Sequence, residues 1–153
     1  MKINLGCGTT ILKEYDNYDK FPVNDDVSFL NLEDLPLPFN DNYADVIKIH
    51  SVIEHLNVNV PDLVNELHRI LKVGGFLDIS LPYFYPRLNH VRSYHPRHYF
   101  APFIIWKYTK RRHEVSNECN LLFKQIYVHT IFHGFSMYLP FFIFNNEWKL
   151  EKI

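Results

Sequence analysis

The stretch "VPDLVNELHRILKVGGFLDISLP", Val60 to Pro82, decides the fold. Leu63, Val64, Leu67, Ile70 and Leu71 fall on one apolar stripe at helical spacing, which predicts a helix over Val60 to Lys72. Asn59 is placed to cap it, and Pro61 lies in its first turn. Gly74 and Gly75 are expected to end it, because glycine tolerates the positive backbone angles of a C-terminal turn. "FLDISLP" then reads as a strand, and Ala44 to Ile49 reads as another before the helix. Strand, helix and strand make a right-handed crossover in a largely parallel sheet.

Working outward, Lys2 to Leu5 is a first strand that stops at Gly6, and "KEYDNYDKFP" holds a turn and a second strand ending near Asp19. Pro22 prevents that strand from continuing. Between the two there is room for at most a turn or two of helix over Thr9 to Glu14. Val27 to Leu30 suggests a third strand, and "LPLPFNDNY" a rigid loop. Beyond Pro82, "YFYPRLNHVRSYHPRHYFAPF" reads as a long loop with a helix beginning near Ala101. "LLFKQIYVHTIF" and "NEWKLEKI" are expected as terminal strands. No repeat or linker interrupts the 153 residues, so the expectation is one domain over 1–153, with 1–82 as a ligand-binding half and 83–153 as lid and terminal strands.

Composition narrows the classes of partner. The net charge of -1 gives no global attraction to nucleic acid or to an anionic membrane, so such binding would need a local patch. "KYTKRRH", Lys107 to His113, is the one candidate, and a solvated face is its plainer reading. An aromatic share of 16% is high, which suggests a partner surface or an apolar substrate. Cys7 and Cys119 form no paired motif, which argues against a disulfide scaffold and fits a reducing cytosol. The apolar run "FSMYLPFFIF" is half the length of a membrane span and contains Pro140. The first residues show no basic segment followed by an apolar one, so no secretory leader is expected and a cytoplasmic location is.

In a parallel α/β sheet the ligand crevice lies at the carboxyl ends of the strands. That rule gathers five separated pieces: Gly6-Cys7-Gly8, Asp19, Asn31 to Leu35, His50 to His55, and Pro82 to Tyr85. Glycines in the first loop let backbone approach a ligand closely, and an acid after the second strand accepts both hydroxyls of a ribose. Positions 9 to 11 are Thr, Thr and Ile, so the remaining glycines of a dinucleotide fingerprint are missing, as are a P-loop lysine and hydroxyl. The pattern suits a cofactor with a ribose and no phosphates.

The series "INLGCG", "YDNYDKFP", "LPFNDNYADVIKIHSVIEHL" and "NELHRILKVGGFLDISLP" resembles the class I S-adenosylmethionine-dependent methyltransferases, in particular a short branch whose first helix is nearly absent. The resemblance covers about Ile3 to Pro82. It implies a Rossmann-like α/β fold, a mostly parallel sheet with helices on both faces, and S-adenosyl-L-methionine as cofactor. By the same resemblance Leu5, Gly6, Cys7 and Gly8 pass beneath the methionine portion, Asp19 binds the ribose and Lys20 flanks it. Asn31 and Leu32 lie beside the adenine, with Asn31 where the family usually has an acid. His50 lines the pocket near the sulfonium.

Glu54 and His55 sit at the lip of the pocket in the family, where His55 would take a proton from an acceptor atom. The alternative is that both are structural. Related O-methyltransferases bind a divalent metal through Glu-x-x-Glu-His at this place, but Ser51 stands where the first glutamate would be, so no Mg²⁺ site is expected, although His90 or His95 could supply a nitrogen ligand to a softer metal. His90, in the His-rich loop "NHVRSYHPRHYF", is a third catalytic candidate. That loop resembles a lid segment of enzymes acting on sugars or lipids, and Arg92 and Arg97 would suit a phosphate or carboxylate there. The leading expectation is transfer of a methyl group to an oxygen or nitrogen of a small molecule or glycan. A non-catalytic partner subunit and an RNA methyltransferase using Lys107 to His113 are the alternatives, and the aromatic C-terminal third would serve a homodimer.

Overall fold

In the computed structural model, residues 1–82, 123–133 and 143–152 are described. They form β1 (Lys2–Leu5), β2 (Asp16–Asp19), β3 (Val27–Phe29), β4 (Ala44–His50), α1 (Val60–Ile70), β5 (Leu71–Pro82), β6 (Phe123–His133) and β7 (Ile143–Lys152). A single 3-10 turn, Ile53–His55, follows β4. The seven strands make one sheet in the order β3-β2-β1-β4-β5-β7-β6. The first five strands pair in parallel, while β7 runs antiparallel to both β5 and β6.

Strand order reverses between β1 and β4, which pair directly with Leu5 opposite Ile49. Their carboxyl ends therefore flank the switch point where such sheets hold ligands. The five strand-end pieces expected from sequence converge on this edge, except for residues 83–85, which lie outside the described residues.

The core lies on one face. Ile3 and Leu5, Ile47 and Ile49, Leu77 and Ile79, all at most 1% exposed, alternate along β1, β4 and β5 and meet Leu63, Leu67 and Ile70 of α1. Truncating any one of these to alanine costs about 2–5 kcal/mol. The other face of the same strands carries Lys2, Asn4, Lys48, His50, Asp78 and Ser80. Among the described residues α1 is the only α-helix, and it packs on one face; residues 83–122 and 134–142, where further helices were expected, lie outside the described residues. The ten residues between β1 and β2 hold no helical turn; Asn17 organises them by bonding Leu12 N and O, Tyr15 O and the Asn4 amide.

Helix α1 ends earlier than expected, and for a different reason. Leu71 is extended, with ψ 137°, so Leu71 and Lys72 belong to β5. Gly74 and Gly75 lie beyond the helix, in a stretch where the β4–β5 ladder slips between Ala44–Leu71 and Val46–Phe76. The helix carbonyls are instead capped by Lys152 of β7, whose ammonium donates to Leu71 O at 2.7 Å and His68 O at 2.9 Å. At the other end Asn59 makes no side-chain cap bond. Glu66 and Arg69 of α1 hold the loop after β3: Glu66 Oε1 accepts from Leu37 N at 2.7 Å and from Arg69 at 2.6 Å, and Arg69 reaches Asp41.

Candidate functional site

The glycine loop is sewn to the end of β2. Gly6 N and Cys7 N both donate to Tyr18 O, at 2.8 and 3.1 Å, and Gly8 N donates to Asp19 Oδ2 at 2.8 Å. Phe21 N donates to Asp19 Oδ1, also at 2.8 Å, so the carboxylate is aimed by two backbone N–H groups. Gly6 and Gly8 both have positive φ, 65° and 53°, the left-handed region that glycine enters without strain. Their surroundings differ. A Cβ on Gly6 would lie 2.4 Å from Val52 Cγ2, whereas one on Gly8 would meet nothing within 4 Å among the described residues. Gly6 packs inward and Gly8 forms the open side of the loop.

Cys7 is buried, and burial, followed by the nearby Asp19 charge, raises its thiol above the ordinary range. A thiol held protonated is a poor nucleophile, so Cys7 fills a small position.

The ends of β2, β3 and β4 are joined by Glu33. Its Oε2 accepts from Lys20 Nζ at 3.0 Å and its Oε1 from Asn57 N at 2.7 Å. Asn31 Oδ1 accepts from Glu33 N at 3.2 Å, and Leu30 N donates to Asp19 O at 2.9 Å. Leu32, 5% exposed, and Leu5, fully buried, both belong to the core, so their side chains support the crevice from beneath.

At the end of β4, Ser51 takes a left-handed conformation with φ 54°, unusual for a residue with a side chain, and its N–H donates to Ser80 O. This turn delivers Val52 to Gly6 and carries the chain into the Ile53–His55 turn. Glu54 is 2% exposed with Oε2 unpartnered, and burial pushes its carboxyl up to about 7. His55 is on the exposed side, with Nε2 3.9 Å from Glu54 Oε1. His50 Nε2 lies 2.9 Å from Asp78 Oδ1.

A family model described as a methyltransferase domain matches residues 12–79, a little under half of the chain. Three solved structures share the fold across almost the whole chain. The MccD protein is 13% identical over 99% of this chain and 89% of its own, with a TM-score of 0.66. YcgJ from Bacillus subtilis is 14% identical over 98% and 90%, with a TM-score of 0.64. A SAM-dependent methyltransferase from Methanosarcina mazei is 14% identical over 99% and 91%, with a TM-score of 0.57. No curated protein matches the chain.

Residues 12–79 are thus similar to a methyltransferase domain, and the chain shares the fold of these structures.

S-adenosylmethionine is the cofactor of SAM-dependent methyltransferases such as the Methanosarcina mazei protein, and the residues at these strand ends fit it. Asp19 keeps a lone pair on each oxygen beyond its two backbone bonds, which is what a ribose diol needs. The loop Gly6 to Gly8 offers backbone without a side chain on its open side. Leu5, Gly6, Cys7, Gly8, Asp19, Lys20, Asn31, Leu32 and His50 all lie at or just below the strand ends. Lys20 is spent on Glu33. Glu54 and His55 come together on the turn after β4, while His90, Arg92, Arg97 and the Lys107 to His113 patch lie outside the described residues. Among the described residues no three His, Cys, Asp or Glu side chains converge as a metal set would.

Sequence reasoning placed Glu33 and Val52 in the strand-end pieces without giving either a role, and it missed Asp78. Asp78 carried a signal: a charged residue inside the apolar strand "FLDIS" of a central parallel strand is out of place unless one face is polar.

Proposed function

We propose that the chain binds S-adenosylmethionine across the carboxyl ends of β1 to β4 and transfers its methyl group to an oxygen or nitrogen of a small molecule or glycan. The observation that carries this reading is Asp19, fixed between Gly8 N and Phe21 N at 2.8 Å on either side with lone pairs left for a ribose. The bound sulfonium supplies an activated methyl group. The chain has to position it: holding donor and acceptor in line is worth effective molarities of ~10⁵ M or more. Gly6 and Gly8 give the backbone access, Asp19 orients the ribose, and Glu33 keeps the three loops of the lip together.

Among the described residues no helix is long and apolar enough to cross a membrane. A cytoplasmic location belongs to this reading and is supported by the sparse cysteines, which form no paired sequence motif. A homodimer through the aromatic C-terminal third concerns segments that lie largely outside the described residues.

The test is thermal. S-adenosylmethionine or S-adenosylhomocysteine should raise the melting temperature, since a ligand at 100 times its Kd adds about 2.7 kcal/mol to the native state. Asp19→Ala should abolish the shift. No shift at millimolar ligand would sink the reading, and an unchanged shift in the variant would put the ribose elsewhere.

A further inference from the structure

Toward their carboxyl ends the two central strands carry polar residues at alternate positions on the face away from α1. Lys48 and His50 alternate with Ile47 and Ile49 on β4, and Asp78 and Ser80 alternate with Leu77 and Ile79 on β5. On that face His50 Nε2 meets Asp78 Oδ1 at 2.9 Å, and Lys48 Nζ meets Asp78 Oδ2 at 3.4 Å. Each carboxylate oxygen thus has its own cationic or N–H partner.

Burial pushes Asp78 upward, but the His50 hydrogen bond and the His50 and Lys48 charges outweigh it and leave the carboxyl below its ordinary range. An ionised carboxylate only accepts, so His50 Nε2 must carry the proton it donates. In the neutral imidazole the other nitrogen, Nδ1, is then the bare base. Among the described residues no hydrogen bond engages it.

The position is as specific as the chemistry. Leu5 of β1 pairs with Ile49 of β4, so Gly6 and His50 are the next residues on adjoining strand ends, and Val52 seals the contact with Gly6. The dyad stands at the switch point, beside the glycine loop. Besides Lys48, the charged group facing Asp78 from the neighbouring strand is Lys149, whose Nζ lies over the Phe76 ring at 4.1 Å.

We propose that His50 is the proton acceptor of the site and Asp78 its positioning residue. This rests on the cofactor reading above. As an acceptor hydroxyl oxygen forms its bond to the methyl carbon, the carbon–sulfur bond breaks with its electron pair going to sulfur, and the hydroxyl proton passes to His50 Nδ1. The sulfonium charge is lost and an imidazolium charge appears, balanced by Asp78.

Diethyl pyrocarbonate, which acylates a bare imidazole nitrogen, tests this in the intact protein by mass mapping of labelled peptides. His50 should be labelled in the free protein, and saturating S-adenosylhomocysteine should slow that labelling at least five-fold. Asp78→Asn should slow labelling of His50 several-fold while His55, in the same molecule, keeps its rate. Labelling of His55 without His50, or labelling of His50 that the ligand leaves unchanged while raising the melting temperature, overturns the inference. An unchanged His50 rate in Asp78→Asn overturns the role of Asp78. Absence of any thermal shift strikes the cofactor reading instead, and the Asp78→Asn comparison then decides alone whether the dyad is a base.

Discussion

Val52 occupies the space that a side chain on Gly6 would need: a Cβ there would lie 2.4 Å from one Val52 methyl and 2.8 Å from the other. The contact links the glycine loop to the turn after β4, so the two sides of the switch point are set by one apolar pair. It also separates two glycines that look equivalent in the sequence.

Gly6→Ala adds both a methyl overlap with Val52 and a left-handed alanine, and should destabilise the fold by about 2–4 kcal/mol. Gly8→Ala has the backbone cost alone, about 1 kcal/mol, because its methyl would point into space open among the described residues. That open space is where the cofactor would approach, so Gly8→Ala should fold and bind S-adenosylhomocysteine at least ten-fold more weakly. Denaturant unfolding and calorimetric titration of the two variants check this; equal stability losses would show that Val52 simply moves aside.

Glu54 makes stability depend on pH. Its carboxyl is raised from 4.5 to about 7 by burial, so between those values the native state binds the proton more tightly than the unfolded chain. Stability therefore falls as pH rises through that window, by up to about 3 kcal/mol, and is level above it. Glu54→Gln keeps the shape without the charge. The variant should match the wild type at pH 4 and exceed it at pH 8, as urea midpoints will show. A wild type as stable at pH 8 as at pH 5 would mean that Oε2 finds a partner.

The strands β1, β3, β4 and β5 and the crossover helix were legible because each is a local apolar pattern bounded by Gly, Pro or Asp, whereas β2, "DNYD", was placed by its turn and by Pro22. The end of α1 was not, since the cap comes from Lys152, 81 residues beyond Leu71, and no local pattern announces it. The Gly-Gly pair pointed to the wrong residue. The site was readable to the extent that strand ends converge in any parallel sheet, which placed Gly6, Asp19, Asn31 and His50 together. What escaped was the polar face. Lys48 and His50 in "IKIHS" and Asp78 and Ser80 in "FLDIS" alternate with isoleucine and leucine, whereas a strand covered on both faces would read as nearly continuous apolar sequence.

Lys152 is the cap of α1 and should behave as one. Its ammonium has three acceptors, Leu71 O, His68 O and Asn42 Oδ1, at 2.7, 2.9 and 3.0 Å, and burial lowers its pKa. Lys152→Met retains the stem and strands two buried carbonyls, a loss of about 2–4 kcal/mol. Amide hydrogen exchange should quicken first in the last turn of α1. A loss under about 0.5 kcal/mol in denaturant unfolding would mean that water replaces the ammonium.

Glu33 separates binding from stability. Its contacts to Lys20 Nζ and Asn57 N hold three loops at the lip, yet the Lys20 pair is solvent-exposed enough to contribute less than about 1 kcal/mol to folding. Glu33→Ala should therefore move the melting temperature by only a few degrees. The loops it released would have to be ordered again by the ligand, so the Kd for S-adenosylhomocysteine should rise about three- to ten-fold, or 0.7–1.4 kcal/mol. Calorimetric titration of the variant beside the wild type reads this directly. An unchanged Kd in a protein whose wild type binds would show that the crevice is held open and shaped by the sheet ends alone, with Glu33 no more than a surface tie.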